Sequence, residues 1–415
     1  MKRVEILAIG SELLTPYFQD TNSLYLARRL NDLGLEVSFK TVVGDEQDNL
    51  RLKVEEALRK SDLILAMGGL GPTADDRTGE VFSRVLERKI VMAPELLEKI
   101  EARFRRRGLS MPASNRKQAG LISGAEVLPN EHGTAPGQWL EWGSKIIILL
   151  PGPPHELEPM FEKYVIPRLE SFRRGFLARR VLMIAGLTES MVEDLMADLY
   201  PDDPSVRITT LARPGQIELH LTATSSVSRA EAGSRLEPVE RSLLDRLGDN
   251  VFSRVGETLE EVLGGLLRLM KKTLSCAESC SGGLLSHRLT NVPGSSEYFL
   301  AGLVAYSNKA KEDLLAVPQD LLRKHGAVSG EVARAMAQGV RRAASSDFGL
   351  AVTGIAGPAG GTPEKPVGLV YTALAWDNGA DVVRNLFLGS REIIKFQSSQ
   401  KSLDMLRRYL EASRR

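Results

Sequence analysis

Hydroxyl and amine side chains recur at short spacing in the last third of the chain. Ser281 lies in the segment Ala-Glu-Ser-Cys-Ser-Gly-Gly at 277–283, between a short apolar run and a helix-like pattern, and Tyr306 and Lys311 follow it. Because unpaired N–H groups at a helix N-terminus stabilise an anion, a hydroxyl placed there could attack a carbonyl while the backbone holds the oxyanion. The alternative is that Ser281 only caps the helix, which serine does well.

Lys311 offers a base for that hydroxyl. An apolar run ends at Tyr306, and Ser307 or Asn308 then has the character of an N-cap, so we expect Lys311 in the first turn of a helix. The positive end of the helix and burial beside a ligand both disfavour the ammonium form. A neutral amine could take a proton from Ser281, as the base of Ser-Lys hydrolases does, with Tyr306 orienting the amine or relaying the proton. For each residue taken alone, a solvated lysine and a core tyrosine are the simpler alternatives.

Cys280 is a rival nucleophile, because a helix N-terminus lowers the pKa of a thiol. His287 and His325 could approach it in space, so sequence spacing leaves a Cys-His pair open. Cys276 and Cys280 are the only cysteines of the chain, and no second pair of Cys or His residues completes four ligands. A zinc site is therefore not expected here.

Together these motifs resemble the C-terminal domain of the CinA family, whose members include nicotinamide mononucleotide (NMN) deamidases. The match covers the segments 278–283, 306–308, 326–329, 354–358 and 365–368, with Lys311 among them. The resemblance implies hydrolysis of the carboxamide of NMN to nicotinate mononucleotide and ammonia, without a cofactor, by Ser281 as nucleophile, Lys311 as base and Tyr306 as its partner. Substrate or oxyanion contacts are expected at Glu278, Cys280, Gly282, Gly283, Ser307, Asn308, Thr353, Gly354, Ile355, Ala356 and Gly357.

The N-terminal region alternates apolar runs, at 4–9, 37–43, 63–67 and 145–150, with helix-like patterns. This order predicts an α/β fold with a doubly wound parallel sheet. Glycine-rich or polar turns follow three of the runs, and turns at the carboxyl edge of such a sheet bind phosphate groups through backbone N–H groups. The residues expected to contact a ligand there are Gly10, Ser11, Glu12, Gly68, Gly69, Gly71, Pro72, Thr73, Gly152 and Pro153. Neither G-x-G-x-x-G nor G-x-x-x-x-G-K-[ST] occurs, which counts against dinucleotide oxidoreductases and P-loop nucleotidases.

Asp75 and Asp76 are the candidates to hold a divalent cation in this region, although acids also decorate helix N-termini without any metal. The region resembles the molybdopterin-binding-like domain of CinA proteins through the segments 68–76, 133–137 and 151–154 and through Asn130. The resemblance implies a metal-dependent ADP-ribose pyrophosphatase, in which the glycine turn cradles the diphosphate and a water attacks one phosphorus. Glu12 and Glu156 are candidates to activate that water, and a retained pterin-binding role stays open.

Between these regions, the sequence has the pattern of strand, helix, strand, strand and helix over 180–247, which predicts a small α+β module. It resembles the KH-type domain of CinA proteins but has no Gly-x-x-Gly turn, the clamp that KH modules close on nucleotide backbones. We therefore expect a spacer or a dimer contact here rather than a nucleic-acid site.

The chain has 415 residues, which suggests about three domains, and we place them at 1–170, 171–252 and 253–415. Its 54 Lys and Arg residues against 53 Asp and Glu residues give no overall attraction to nucleic acid or to a membrane. Two cysteines, no signal-peptide pattern and no long apolar span favour a cytoplasmic protein. The resemblance adds a homodimer as the expected assembly.

The sequence thus predicts a bifunctional hydrolase of pyridine nucleotide salvage that acts on NMN and on ADP-ribose. Two alternatives stay open. One is a binding protein of DNA uptake with vestigial pockets, as the family's historical competence label suggests, and the other is a pterin-handling enzyme. The intact set of Ser281, Tyr306 and Lys311 weighs against the first.

Overall fold

The computed structural model describes residues 3–172 and 175–414, so positions 1, 2, 173, 174 and 415 of the predicted domain ranges lie outside the described residues. The described chain forms two compact units. The first contains the residues up to Leu177 together with Thr224–Ala232, and the second contains Ala178–Ala223 and the residues from Gly233 onward. Both units are α/β, as predicted.

The helices and strands of the first unit follow one another along the chain. They are β1 (Val4–Ile9), α1 (Asn22–Asp32), β2 (Val37–Val43), α2 (Gln47–Lys60), β3 (Leu63–Met67), α3 (Thr78–Val85), β4 (Ile90–Met92), α4 (Pro94–Arg106), β5 (Gly120–Ile122), β6 (Glu126–Leu128), β7 (Gly137–Trp142), β8 (Lys145–Leu150), α5 (Pro154–Met160) and α6 (Ile166–Leu169).

A six-stranded sheet in the order β2-β1-β3-β8-β7-β6 organises this unit. The first four strands in that order are parallel, as predicted, whereas β7 and β6 extend one edge antiparallel. Every residue of β1 and β3 is buried, since α1 and α5 pack on one face of the sheet and α2 and α3 on the other. The sheet is therefore doubly wound, and β1, β3 and β8 end at one edge.

The second unit continues the chain with two further sheets. Its elements are β9 (Phe176–Ile184), α7 (Glu189–Met196), β10 (Val206–Arg213), β11 (Gln216–Ser225), α8 (Arg229–Leu247), β12 (Val251–Ser253), α9 (Leu259–Met270), β13 (Leu274–Glu278), α10 (Leu284–Thr290), β14 (Phe299–Val304), α11 (Asn308–Leu315), α12 (Gln319–His325), α13 (Gly330–Ala344), β15 (Phe348–Gly354), β16 (Leu369–Trp376), β17 (Gly379–Leu386) and α14 (Arg391–Ala412). The start of β9, the end of β11 and the start of α8 include residues of the first unit.

The smaller of these sheets, β10-β11-β9-β12, confirms the predicted strand-helix-strand-strand-helix module. The larger sheet has the order β14-β13-β15-β16-β17, with β14, β13 and β15 parallel and the other two antiparallel. Helices α9 and α14 pack on one face of the larger sheet and α11 and α13 on the other. Among the residues that the structure describes, no helix combines the length and the apolar character needed to cross a bilayer.

Candidate active sites

The candidate site of the second unit lies where three strands of the larger sheet end side by side. Glu278, the last residue of β13, is opposite Val304 of β14 and Val352 of β15. The N–H of Ser279 donates to the Val352 carbonyl at 2.9 Å, and the N–H of Ala305 donates to the Glu278 carbonyl at 2.8 Å. These bonds fix the backbone from which the Ser279 side chain projects.

Lys311, which α11 delivers to this sheet edge, is buried, with 1% of its surface exposed. Its Nζ lies 2.9 Å from the carbonyl oxygen of Ala305, 3.2 Å from that of Tyr306 and 3.2 Å from Ser279 Oγ. None of these three partners carries a negative charge. Burial therefore lowers the pKa of the Lys311 amine from its usual value. The result is a buried lysine with a lowered pKa, in contact with a serine hydroxyl.

The serine that Lys311 contacts is not the one predicted. Ser281 Oγ is buried and has no hydrogen-bond partner among the described residues, while Ser279 Oγ meets the amine. Ser279 directly follows the strand, whereas Ser281 lies further along the turn, before Gly282 and Gly283 with φ of 62° and 95°. The predicted pairing of Ser281 with Lys311 is therefore wrong.

Glu278 caps the N-terminus of α10, the helix that follows it, with its carboxylate. Its carboxylate accepts hydrogen bonds from the N–H groups of Gly283 at 2.9 Å, Leu285 at 3.0 Å and Ser286 at 2.8 Å, and from the Ser286 hydroxyl at 2.6 Å. A carboxylate at this place also complements the positive end of α10. The structure thus corrects the expectation that this helix N-terminus is free to hold an oxyanion, whereas a substrate contact of Glu278 stays a prediction.

Cys280 lies in an apolar environment that makes it a poor nucleophile. Its side chain belongs to the apolar core, and burial raises the pKa of its thiol to about 12, the opposite of the lowering expected at a helix N-terminus. His287 Nε2 lies 3.2 Å from Asn291 Nδ2, and His325 Nδ1 lies 3.3 Å from Glu331 Oε1, so the histidines face other partners. The Cys-His alternative, and a substrate contact of the Cys280 side chain, are not supported.

Tyr306 contacts Lys311 through its own backbone carbonyl and not through its side chain. Its side chain is 62% exposed, and its hydroxyl lies 3.2 Å from Nη2 of Arg391, the first residue of α14. Nη1 of Arg391 donates to the carbonyl oxygen of Gly357 at 2.6 Å. A second cation is close, since a Cβ built on Gly282 would lie 3.6 Å from Nζ of Lys395. Neither cation was predicted, because no local sequence motif marks Arg391 or Lys395.

Several other predicted contact residues of this site support its backbone. Ser307 caps α11, as predicted, by accepting the N–H of Ala310 at 3.0 Å. Thr353 Oγ1 donates to the carbonyl oxygen of Ala327 at 2.7 Å. The remaining members are the exposed Gly282 and Asn308, the half-buried Gly283, Gly354 and Ile355, and the buried Ala356 and Gly357. A substrate can therefore reach this turn cluster from the side of Gly282, Tyr306 and Asn308.

The first unit contains a cavity of about 590 Å³ at the carboxyl edge of its sheet. The turns after β1, β3 and β8 all contribute to its lining, as their positions in the sheet predict. The predicted residues that line it are Gly10, Glu12, Gly68, Gly69, Gly71, Pro72, Asp75, Asp76, Gly152 and Pro153. Gly68 shows why this edge needs glycine, since its φ is 96° and a Cβ there would lie 2.1 Å from the carbonyl oxygen of Ile9.

Two predicted contact residues, Ser11 and Thr73, lie outside this lining. The N–H of Ser11 donates to Asp45 Oδ2 at 2.7 Å, and the N–H of Thr73 donates to Asp76 Oδ2 at 2.8 Å. Both hydrogen bonds therefore stabilise loops whose carboxylates, those of Asp45 and Asp76, line the cavity. Other lining residues were not predicted from the sequence, among them Phe18 and the polar run at 19–22 that leads into α1.

Carboxylates dominate the polar part of this lining. They belong to Glu12, Asp20, Asp45, Asp75, Asp76 and Glu156, and none of the described lining residues is Lys or Arg. Glu156, one candidate to activate water, accepts a hydrogen bond from Asn130 Nδ2 at 2.7 Å. Within the described part of the chain, no three His, Cys, Asp or Glu side chains are grouped closely enough to hold a metal ion. The donors therefore fit a cation held by one or two carboxylates and completed by ligand oxygens.

Three family models match the chain. The CinA C-terminal domain matches 256–410, the probable molybdopterin binding domain 5–171 and the damage-inducible protein CinA KH domain 179–253. A CinA-like protein of Koribacter versatilis is 46% identical over 411 residues, which cover 98% of this chain and 99% of the relative. A putative competence-damage inducible protein of Caldicellulosiruptor bescii is 44% identical over 404 residues, 97% of this chain and 98% of the relative. The solved structure of competence/damage inducible protein CihA from Agrobacterium tumefaciens is 37% identical and covers 37% of this chain and 97% of its own, with a TM-score of 0.36.

Proposed function

Because the chain belongs to the CinA family, we propose that its second unit is an amidohydrolase that converts NMN to nicotinate mononucleotide and ammonia. The observation that carries this proposal is the buried contact of 3.2 Å between Lys311 Nζ and Ser279 Oγ. A serine hydroxyl beside a buried lysine with a lowered pKa is the arrangement of a nucleophile and its base. We assign the nucleophile to Ser279 in place of Ser281.

The acceptors around Lys311 explain how it would act as a base. The carbonyl oxygens of Ala305 and Tyr306 can only accept hydrogen bonds, so each takes one N–H of the amine. A neutral amine has two N–H groups and one lone pair. With both N–H groups directed at carbonyls, the lone pair is left for the proton of the Ser279 hydroxyl.

The reaction follows from this orientation in two halves. Ser279 Oγ attacks the carboxamide carbon as its proton passes to Lys311 Nζ, and the tetrahedral intermediate then loses its C–N bond while Lys311 protonates the leaving amide nitrogen. Ammonia departs and an ester to Ser279 remains. Water attacks that ester and gives one proton to Lys311, which passes it to Ser279 Oγ as the ester bond breaks. The carboxylic acid released then loses its remaining proton to solvent. The turn that ends at Gly357 stays the proposed contact for the carboxamide.

The cations of α14 suit the phosphate that NMN carries. Arg391 and Lys395 are one helical turn apart, so they lie on one face of the helix. Arg391 is tied to the Tyr306 hydroxyl and to the Gly357 carbonyl, and Lys395 Nζ lies beside Gly282. A phosphate bound between them would place the nicotinamide ring near the exposed side chain of Tyr306.

The direct test is product analysis. We expect the full chain to release ammonia and nicotinate mononucleotide from NMN in equal amounts, and rapid acid quenching to trap an acyl ester on Ser279 that peptide mass spectrometry locates. Fragmentation separates Ser279 from Ser281, since Cys280 lies between them. No turnover of NMN by a folded, pure chain would contradict the proposal and favour a binding protein of DNA uptake.

We propose a second activity, hydrolysis of the diphosphate of ADP-ribose, for the first unit. The acidic cavity supports it, because a lining without lysine or arginine accepts a diphosphate only together with a cation that neutralises the negative charges. Asp75 and Asp76 would hold that divalent cation with the help of substrate oxygens. When bound, the cation would neutralise charge on the reacting phosphoryl group. The turns at 68–71 and 151–153 would face the diphosphate with the backbone N–H groups of Gly69, Gly71 and Gly152, since Pro151 and Pro153 have none.

Chelation separates the two activities. EDTA is expected to stop AMP release from ADP-ribose and to leave ammonia release from NMN unchanged, because the residues proposed for the second site need no metal. Binding of a molybdopterin without cleavage of ADP-ribose, with and without divalent metal, would instead favour the pterin-handling alternative.

A further inference from the structure

Large apolar side chains are exposed beside the cavity of the first unit. They lie between the short helical turn Ser11–Leu14 and the start of α1 at Asn22. Leu14 is 62% exposed, Tyr17 91% and Phe18 63%. Exposed apolar side chains grouped at the rim of a cavity mark a surface for a ligand or a partner. Of these three residues, only Phe18 lines the cavity.

Hydrogen bonds fix the backbone on both sides of Phe18. On one side, the N–H of Ser11 donates to Asp45 Oδ2 at 2.7 Å. On the other, Asn22 Nδ2 donates to the carbonyl oxygen of Gly152 at 2.6 Å. The second bond joins the segment to one of the turns that would face a diphosphate. Phe18 lies within this anchored segment and lines the same cavity as those turns.

We propose that Phe18 stacks on the nucleobase of the diphosphate substrate, an inference that rests on the proposed hydrolysis of ADP-ribose. The cavity of about 590 Å³ lies within the range of small-molecule sites. It has backbone turns on one side and an aromatic ring at its rim, which matches a nucleotide with phosphates at one end and a flat base at the other. Because the lining offers no cationic side chain to the ligand, stacking supplies attraction that charge does not.

This role also sets the selectivity of the site. Every nucleobase has an aromatic face, so a phenylalanine detects the presence of a base more than its identity. We expect ADP-ribose and analogues with other purines to bind with similar affinity. A diphosphate ester that lacks a base is expected to bind more weakly.

The test compares AMP with ribose 5-phosphate by isothermal titration calorimetry of the full chain in buffer with Mg²⁺. Base stacking on an aromatic side chain contributes enough to change affinity by about 5- to 150-fold. Phe18→Ala is expected to raise the Kd for AMP by about that factor and to leave the Kd for ribose 5-phosphate unchanged. Phe18→Tyr should restore AMP binding. Tyr17→Ala is the matched control, since it removes a neighbouring exposed ring that does not line the cavity.

The outcomes distinguish the inference from the proposed function. Equal AMP affinity in the wild type and Phe18→Ala, or equal weakening of AMP and ribose 5-phosphate, overturns stacking by Phe18 even if ADP-ribose is still hydrolysed. Loss of AMP binding in Tyr17→Ala alone would also overturn it. If the wild type cleaves no ADP-ribose yet shows the expected AMP pattern, the hydrolysis proposal fails and base stacking stands. Tighter binding of a pterin phosphate than of AMP would overturn the assignment of the Phe18 contact to a nucleobase.

Discussion

Replacing Lys311 with methionine, a side chain of similar length without a base, tests the proton transfer at the second site. Loss of a positioned general base lowers a rate by about 10²- to 10⁴-fold, or about 2.7–5.4 kcal/mol of transition-state stabilisation. In this variant the carbonyls of Ala305 and Tyr306 each lose a hydrogen-bond donor. A buried polar group left unsatisfied lowers the free energy of unfolding by about 1–3 kcal/mol. Part of that loss is offset, because the variant no longer buries an amine.

The proposed role of Lys311 predicts that the rate of ammonia release rises with pH. Activity needs the neutral amine, whose pKa is lowered from the usual 10.5 by burial. The kcat/KM for ammonia release is therefore expected to rise tenfold per pH unit below the lowered pKa and to level off before pH 10.5. The unfolded chain keeps this proton up to about pH 10.5, so the free energy of unfolding also rises with pH between the two pKa values, by at most about 1.4 kcal/mol per pH unit.

The assay is a coupled measurement of ammonia release between pH 6 and 10.5, with chemical unfolding of both proteins over the same range. The Lys311→Met variant is expected to lose ammonia release. Its free energy of unfolding should also lack the increase with pH that the Lys311 amine contributes. A wild-type rate that falls or stays flat over this range would refute the reasoning. So would a folded methionine variant that keeps the parental rate.

Three further substitutions give separate expectations. Glu278→Gln weakens the capping of α10 and should cost about 1–3 kcal/mol, seen as a lower thermal midpoint; an unchanged midpoint would contradict the role of the carboxylate. Arg391→Ala should raise KM for NMN about tenfold, the loss of roughly one charge-assisted hydrogen bond, while turnover of nicotinamide riboside, which has no phosphate, stays the same. Equal effects on both substrates would argue against a phosphate contact. Cys280→Ala should keep ammonia release within about twofold, since a buried thiol with a raised pKa is not the nucleophile, and a loss of two orders of magnitude would reopen that assignment.

Three of the parallel strands of the first unit could be predicted because they are buried on both faces. β1, β3 and β8 are almost continuous apolar runs, and that pattern marks them without any structural information. The antiparallel strand β7 was missed, since polar residues interrupt it. One of them, Gln138, is buried only because its Oε1 accepts the N–H of Ile122 at 2.9 Å. A polar side chain satisfied by a distant partner looks like a loop residue in the sequence.

The sequence located the second site to within one turn but did not separate its two serines. Both hydroxyls lie in one short segment, and what distinguishes them is contact with Lys311, 32 residues away from Ser279. The backbone path is set by Gly282 and Gly283 at positive φ and by Glu278 folding back onto α10. A contact across such a distance has no local pattern.

The same limit applies to the cations. Arg391 meets Tyr306 across 85 positions of the chain, so only the packing of α14 on the sheet brings them together. In the first unit, the turns at 68–71 and 151–153 were identifiable because each follows a predicted strand. Asp20 and Phe18, which the segment before α1 contributes, were not, because they follow no strand and fit no motif.

Two serine-to-alanine variants, at positions 279 and 281, test the central claim most directly. With NMN as substrate, Ser279→Ala should lower the rate of ammonia release by at least about 10³-fold, since the nucleophile is lost. Ser281→Ala should retain a rate within about threefold of the wild type, because it replaces a buried hydroxyl that has no described partner. If the variant at 279 keeps the parental rate, or if only the variant at 281 is inactive while both are folded, the assignment of Ser279 and Lys311 is wrong.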